Sequence, residues 1–285
     1  MRIFYKEISE LGLRASIEAG LFRLGLIKRF HIKYPSTSFT IVVDRGPPSF
    51  WKLFEKDKVD TNLIEFIVDL VKPGETILDV GAWEGPLSFL FSHQVTETGR
   101  VYSFEPMPLP FATLEHLVKI NNIQNIYSYR LALSNTVGSL VLYSDRPDST
   151  MSTMQDPRKF TPARNASKFN IQIDCECTTI DDFCNNKKIE PNGIKIDVEG
   201  AEQEVLKGAA KTIEKFRPWC ILEFHGQFLS QNERQQTWSF ITKRAKKIIY
   251  IVGEEAELTP LKEVPSSFRP NKEARALYCI FFDGS

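Results

Sequence analysis

The stretch Thr76-Ile77-Leu78-Asp79-Val80-Gly81-Ala82-Trp83-Glu84-Gly85 decides the reading of this chain. A short run rich in apolar and β-branched side chains enters a turn with glycine at both ends, and Leu87, Leu90 and Phe91 follow at helical spacing. A strand therefore passes through a glycine turn straight into a helix. Glycine at such a junction lets the backbone turn tightly and approach a ligand with no Cβ in the way. The segment predicts the first strand of a parallel sheet with a ligand crevice at its carboxyl end.

The same alternation continues outward. Val101 to Phe104 forms a second strand ending at Glu105, and Phe111, Leu114 and Val118 line the next helix. Ile126 to Leu133 reads as the third strand, Ile194 to Val198 as the fourth, Trp219 to Phe224 as the fifth, Ile248 to Val252 as the sixth and Leu277 to Phe282 as the seventh. The span from Glu254 to Arg275 has no convincing helix, so the last strand is expected to return antiparallel at the sheet edge. Strands alternating with helical patterns indicate an α/β fold. An irregular stretch from Asp145 to Asn170, holding Ser152 and Thr153, interrupts the rhythm, and such long loops usually carry function or are disordered. Upstream, Phe39 to Val43 suggests a strand, and Asp60 or Thr61 caps a helix that Pro73-Gly74 ends. We divide the chain into an N-terminal extension, residues 1–60, and a ligand-binding domain, residues 61–285.

Composition sets bounds on function. The 285 residues carry 36 basic and 36 acidic side chains, which argues against a nucleic-acid protein driven by overall charge. Hydrophobic residues at 42% and charged ones at 25% fit a globular chain with a real core. No apolar run approaches the roughly 20 residues of a membrane-spanning helix. The five cysteines are odd in number with no secretory signal ahead of them, so packing in a reducing cytoplasm is expected, and Asn165-Ala166-Ser167 is read as a chance sequon. Residues 1–34 hold seven basic against three acidic residues, with Leu11, Ile17, Leu21 and Leu24 gathered on one side of a helix. A packed arm is the preferred reading, and peripheral contact with an anionic membrane is the alternative.

The ligand follows from charge. Glu105 closes the second strand 24 residues after Gly81, where a carboxylate accepts hydrogen bonds from both hydroxyls of a ribose. A dinucleotide site spaces its glycines G-x-G-x-x-G around a pyrophosphate, whereas this turn reads Gly81-x-x-x-Gly85 with Asp79 before it and Glu84 inside it. Two acidic groups repel a pyrophosphate and suit a cation. S-adenosylmethionine, with its sulfonium and ammonium, is favoured over NAD.

Three motifs then carry a resemblance. Asp79-Val80-Gly81-Ala82-x-x-Gly85, Phe104-Glu105-Pro106-x-Pro108, and Ile194-Lys195-Ile196-Asp197-Val198-Glu199-Gly200-Ala201-Glu202 followed by Val205-Leu206-x-Gly208-Ala209 resemble the FkbM family of S-adenosylmethionine-dependent methyltransferases. The similarity covers about residues 74 to 225, and Trp83 departs from the Asn that many members carry. The resemblance implies a class I methyltransferase fold, Rossmann-like, with seven strands in the order 3-2-1-4-5-7-6 and strand 7 antiparallel. It implies O-methylation of a sugar, glycan or natural-product hydroxyl. Cofactor lining is expected from Asp79, Gly81, Ala82, Trp83 and Gly85, and from Glu105, Pro106, Ala132 and Asp197.

Methyl transfer to oxygen needs alignment and a proton acceptor. The candidates at the ends of the fourth and fifth strands are Asp197, Glu223 and His225, with His225 having the pKa best matched to neutral pH. Lys195, Glu199, Glu202, Ser152 and Thr153 are expected on the acceptor side, although Glu199 and Glu202 equally suit a helix N-terminus and Lys195 could instead pair with a carboxylate inside the strand. Phe50, Trp51 and Phe54 either cover the acceptor or belong to the core. A divalent metal is compatible with the Asp, Glu and His cluster, but the spacing does not demand one and none is expected. Two other classes stay open: a noncatalytic glycan- or partner-binding module on the same fold, and an NAD-dependent oxidoreductase, which the glycine spacing disfavours.

Overall fold

The computed structural model describes residues 30–34, 37–44, 46, 48–55, 61–146, 152–154, 169–251, 259–260 and 276–282. The basic stretch up to residue 29, the sequon at Asn165 and most of 145–170 and 254–275 lie outside the described residues.

Strands β1 (Phe30–Lys33) and β2 (Thr40–Val43) pair as an antiparallel hairpin, followed by helices α1 (Pro48–Glu55) and α2 (Thr61–Leu70). The alternating part begins with β3 (Thr76–Val80), α3 (Pro86–Val95), β4 (Arg100–Phe104), α4 (Pro108–Ile120) and β5 (Ile126–Tyr129). Four strands follow, β6 (Ala132–Leu133), β7 (Gly138–Ser144), β8 (Ser152–Thr153) and β9 (Ile171–Thr178). Then come α5 (Ile180–Lys187), β10 (Gly193–Ile196), α6 (Glu202–Gly208), α7 (Ala210–Phe216) and β11 (Trp219–Phe224). The chain ends with α8 (Gln231–Thr242), β12 (Lys247–Ile251), β13 (Thr259–Pro260) and β14 (Ala276–Phe281).

The main sheet runs β13-β12-β14-β11-β10-β3-β4-β5. The pairs β11-β10, β10-β3, β3-β4 and β4-β5 are parallel, while β14 is antiparallel to both β11 and β12. The two-residue β13, antiparallel to β12, makes an eighth strand where seven were expected. Strand alternation sends neighbouring side chains to opposite layers. Ile77 and Val101 join Ile64, Ile67, Phe89, Leu90, Leu114 and Leu117 from α2, α3 and α4. Leu78, Val80, Ile194, Ile196 and Leu222 join Ile180, Val205, Leu206, Ile213 and Ile241 from α5 through α8. The hairpin adds Ile32, Ile41 and Val43 to the first layer, and the Tyr34 hydroxyl donates to the Pro86 carbonyl at 2.8 Å, tying it to the start of α3.

The expectation of one strand over 126–133 is corrected. Pairing to β4 stops at Tyr129, and Ala132 and Leu133 pair instead with Cys177 and Thr178 in a second sheet of order β6-β9-β7-β8. Its inward face buries Leu142, Cys175 and Cys177 against Met107 and Ala132. Alternation along β9 leaves Asp174 and Glu176 exposed, so these two cysteines act as packing residues. Part of the stretch read as an irregular loop is also strand, since Ser152 and Thr153 pair with Ser144 and Tyr143. No helix among the described residues is long and apolar enough to cross a membrane.

At Gly193, the first residue of β10, a Cβ would collide with the ring of Trp219 on the neighbouring strand. Gly193→Val should therefore cost about 1–3 kcal/mol through overpacking. The loss should appear as a lower urea midpoint with unchanged slope. Val137→Thr, at a position 65% exposed, serves as a control and should stay within about 0.5 kcal/mol of wild type. A wild-type midpoint for Gly193→Val would contradict the packing described.

Candidate active site

One residue below the carboxyl ends of three adjacent strands lies a row of buried polar side chains. Ser103, Asp79 and Lys195 are the penultimate residues of β4, β3 and β10, and the register sets Asp79 directly beside both others. The Lys195 ammonium stands 3.2 Å from Asp79 Oδ1 and 3.7 Å from Asp197 Oδ2, and donates to the Gly81 carbonyl at 2.7 Å. Ser88 of α3 donates to the other Asp79 oxygen and lies 2.8 Å from the Ser103 hydroxyl. Burial lowers the pKa of Lys195, but the charges of Asp79, Asp197 and Glu223 outweigh it, and the net shift is upward. Lys195 is thus a fixed cation.

Asp79, expected to line the cofactor, is engaged by Lys195 and Ser88, and Lys195 takes the second of its two expected places, paired with a strand carboxylate.

Above the row, the glycine turn is strained where a ligand would pass. Gly81, Trp83 and Gly85 all have positive φ, at 78°, 49° and 91°. The Gly81 and Ala82 N–H groups both donate to the Phe104 carbonyl, at 3.0 and 2.9 Å. A Cβ on Gly81 would collide with the Asp197 carbonyl oxygen, so only glycine lets the turn abut the end of β10. Glu84 is buried and accepts from the Trp51 indole at 3.3 Å. It points toward the N-terminal elements, which corrects its expected place beside the ligand. Trp51 and Phe54 are core side chains, whereas the Phe50 ring meets the Trp83 ring edge-on at 4.6 Å.

Glu105 behaves differently from Asp79. One carboxylate oxygen accepts from the Trp83 N–H and the other from the Met107 N–H, both at 2.8 Å. The side chain is buried, and burial pushes its pKa up to about 7 against the lowering effect of these two bonds and of Lys195. A carboxylate has about four acceptor directions, so two remain for hydroxyl donors. Pro106 lies between the two anchored positions, and Ala132 packs on Met107 from the second sheet.

Past β10, Glu199 and Gly200 take left-handed conformations, φ 49° and 98°, and bend the chain. The bend lets Asp197 and Glu199 converge on one ring. His225 Nε2 lies 3.1 Å from Glu223, 3.6 Å from Glu199 and 3.9 Å from Asp197, while Nδ1 is 2.8 Å from Glu202. Burial lowers the pKa of His225, but Glu199 and the hydrogen bonds to Glu202 and Glu223 raise it well above the usual value. The expectation of a histidine poised near neutral pH is corrected: the surrounding carboxylates keep the ring protonated. Burial, helped by Asp197, Glu223 and Glu202 and opposed by His225, pushes Glu199 up to about 8.

Asp197 is the most exposed member of the cluster, with 29% of its side chain accessible. Asp197, Glu223 and His225 bring ligand-type atoms within 4.8 Å of one another, a grouping a hard cation tolerates. Glu202 is fully buried, which corrects its expected contact with an acceptor. Thr153 is buried within the second sheet, and with Ser152 it pairs with β7. Ser88, which donates to Asp79, and Ser103, which meets the Ser88 hydroxyl, were missed; for Ser103 the signal was a polar residue at the penultimate position of its strand.

Comparison with known proteins follows the same strand ends. Residues of the chain align with the 2-O-methyltransferase NoeI of Sinorhizobium fredii at 24% identity over 171 residues, covering 58% of this chain and 69% of the relative. Methyltransferase 1 of Beauveria bassiana aligns at 25% identity over 145 residues, covering 46% and 57%. The crystal structure of an FkbM methyltransferase from Methylobacillus flagellatus overlays with TM-score 0.46 and 16% identity; the match covers 81% of this chain and only about half, 54%, of that one. The Methyltransferase FkbM domain model matches residues 79–248, from Asp79 in β3 to Ile248 in β12, which is more than half of the sequence. The chain belongs to the FkbM methyltransferase family.

Proposed function

We propose that the protein moves a methyl group from S-adenosylmethionine to a hydroxyl of a sugar, glycan or natural-product acceptor. The observation that carries this reading is Glu105, a buried carboxylate anchored at the end of β4 by the Trp83 and Met107 N–H groups with acceptor capacity to spare. Family membership supports methyl transfer, and the relative named as a 2-O-methyltransferase supports oxygen as the site.

In this reading Glu105 holds the ribose hydroxyls. We assign the amino-acid end to the turn of Gly81, Ala82, Trp83 and Gly85, where the missing Cβ of Gly81 makes room for Asp197 and that of Gly85 for Leu114 and Phe89, and the adenine base to Pro106 and Ala132. The residues fit an adenosyl ligand: a desolvated carboxylate wants hydroxyl donors, and the glycine turn closes against Asp197 only because it lacks a Cβ. When bound, S-adenosylmethionine supplies a methyl carbon made electrophilic by its sulfonium. Asp197 accepts the proton that the acceptor hydroxyl loses, since it is the most accessible carboxylate at the strand ends. Lys195 and His225 stand one beside each of its oxygens and keep its orientation fixed. Glu223, engaged with the His225 ring, supports that geometry, and Glu199 lines the acceptor side. Alignment contributes as much as about 7–11 kcal/mol to such a reaction, a positioned base roughly 3–5 kcal/mol. Positioning dominates.

The internal Asp79–Lys195 pair favours one competing reading, a noncatalytic module on the same fold. Glu105, bonded to two main-chain N–H groups and to no cation, weighs against it.

Glu105→Ala should weaken binding of S-adenosylhomocysteine by roughly 1.5–3 kcal/mol, the scale for hydrogen bonds to a charged group. Calorimetric titration reads this directly, and unchanged affinity would remove the ribose assignment. Because the carboxylate of Glu105 is protonated as pH falls through about 7, wild-type affinity should drop about tenfold between pH 8 and pH 6. Glu105→Gln should flatten that dependence; a persisting slope would assign the proton elsewhere. For Asp197→Asn, transfer of labelled methyl should slow about 10²–10⁴-fold while affinity for the adenosyl ligand stays near wild type. Wild-type turnover in this variant would exclude Asp197 as the base.

A further inference from the structure

Glu202 opens α6 with no solvent exposure, yet it is not merely a helix-start acid. A single oxygen, Oε1, accepts from the Gly200 N–H at 3.0 Å and from the His225 N–H at 3.3 Å, and lies 2.8 Å from His225 Nδ1. The other oxygen has no hydrogen-bond partner among the described residues. Since Oε1 already accepts from two main-chain N–H groups, it is the acceptor of that 2.8 Å contact too, and the proton belongs to Nδ1. One ring nitrogen is thereby committed, and the other is aimed at the remaining carboxylates.

Titratable groups face the ring from each packed element: Glu223 from β11, Asp197 and Glu199 from the turn after β10, and Glu202 from α6, with Lys195 on the far side of Asp197. A neutral ring would offer Glu223 at 3.1 Å either a donor or a repelling lone pair, according to its tautomer. With Nδ1–H held by Glu202, only a protonated Nε2 satisfies both neighbours.

We propose that Glu202 is a positioning residue that locks His225 as a fixed cation, Nδ1–H toward Glu202 and Nε2–H toward Glu223, Glu199 and Asp197. Resting on the methyl-transfer reading of these strand ends, the proposal removes His225 from the role of base and makes its ring the counter-charge that holds the acceptor-side carboxylates together. It also gives the buried Oε1 a role: that one oxygen ties the Gly200 N–H of the turn after β10 to the His225 N–H and ring at the end of β11.

Glu202→Gln separates charge from clamp. The amide oxygen still accepts from Gly200 and His225, while the negative charge is gone. Ring ¹⁵N and ¹H spectra near neutral pH, with His225→Asn to assign the signals, should show a doubly protonated ring and a far-downfield Nδ1 proton in the wild-type protein. In Glu202→Gln the downfield signal should be lost and the ring should move toward the singly protonated state. Labelled-methyl transfer should fall roughly 10²-fold in kcat, with KM for S-adenosylmethionine changed less than about twofold. A wild-type ring without a proton on Nδ1, or a ring state unchanged by Glu202→Gln, would overturn the proposal. The first of these needs no variant and so decides the matter even where Glu202→Gln does not fold. Failure of the wild-type protein to bind S-adenosylhomocysteine would instead sink the methyl-transfer reading, with the ring signature still judging the lock.

Discussion

The buried pair between Lys195 and Asp79 is the constraint on which the strand ends depend. Its members are direct neighbours across β10 and β3, and both are almost wholly withdrawn from water. Desolvating two charges is costly, and the cost is offset only when the geometry is good and remaining hydrogen-bonding capacity is filled. Ser88 fills it on one side, and the Gly81 carbonyl and Asp197 fill it on the other. The pair therefore does more than join two strands. A slip of either strand by one residue would turn an ion into an apolar layer, so the register is fixed, and with it the height at which the glycine turn meets Asp197.

From that frame the division of labour among the acidic residues follows. Asp79 and Glu84 are consumed by the fold, one by Lys195 and Ser88, the other beside Trp51. Glu105 and Asp197 remain at the crevice. Glu105 is held by two main-chain N–H groups and kept desolvated, which in the proposed reading makes it a receptor for neutral donors such as hydroxyls. Asp197 sits between two fixed cations with part of its side chain open to solvent. The electrostatic welcome for a sulfonium ligand is accordingly narrower than the local sequence suggests, resting on two carboxylates rather than four.

Much of this was legible in the sequence because the relevant signals are local. Thr76 to Gly85 specifies strand, turn and helix through alternation, glycine and spacing, all within ten residues, and Glu105 is marked by its place at the end of the next apolar run. The break after Tyr129 was not legible: Arg130 and Leu131 carry no turn signal, and the second sheet arises from pairing between Ala132 and Cys177, far apart in the chain. Partner choice was hidden in the same way. A carboxylate partner for Lys195 was expected, but its identity, Asp79 of the neighbouring strand with the Gly81 carbonyl, depends on strand order, and the raised pKa of His225 depends on carboxylates from three separate elements. Residue types pointed to the right neighbourhood, and long-range packing assigned the roles.

The central claim is that Glu105 and the Gly81 to Gly85 turn form an adenosyl pocket at the carboxyl ends of β3 and β4. A crystal structure of the protein with S-adenosylhomocysteine tests it most directly. The account predicts density across the glycine turn with both ribose hydroxyls on the Glu105 carboxylate and the sulfur facing Asp197. Ligand bound elsewhere, or a crevice filled by the protein's own side chains at saturating ligand, would contradict it.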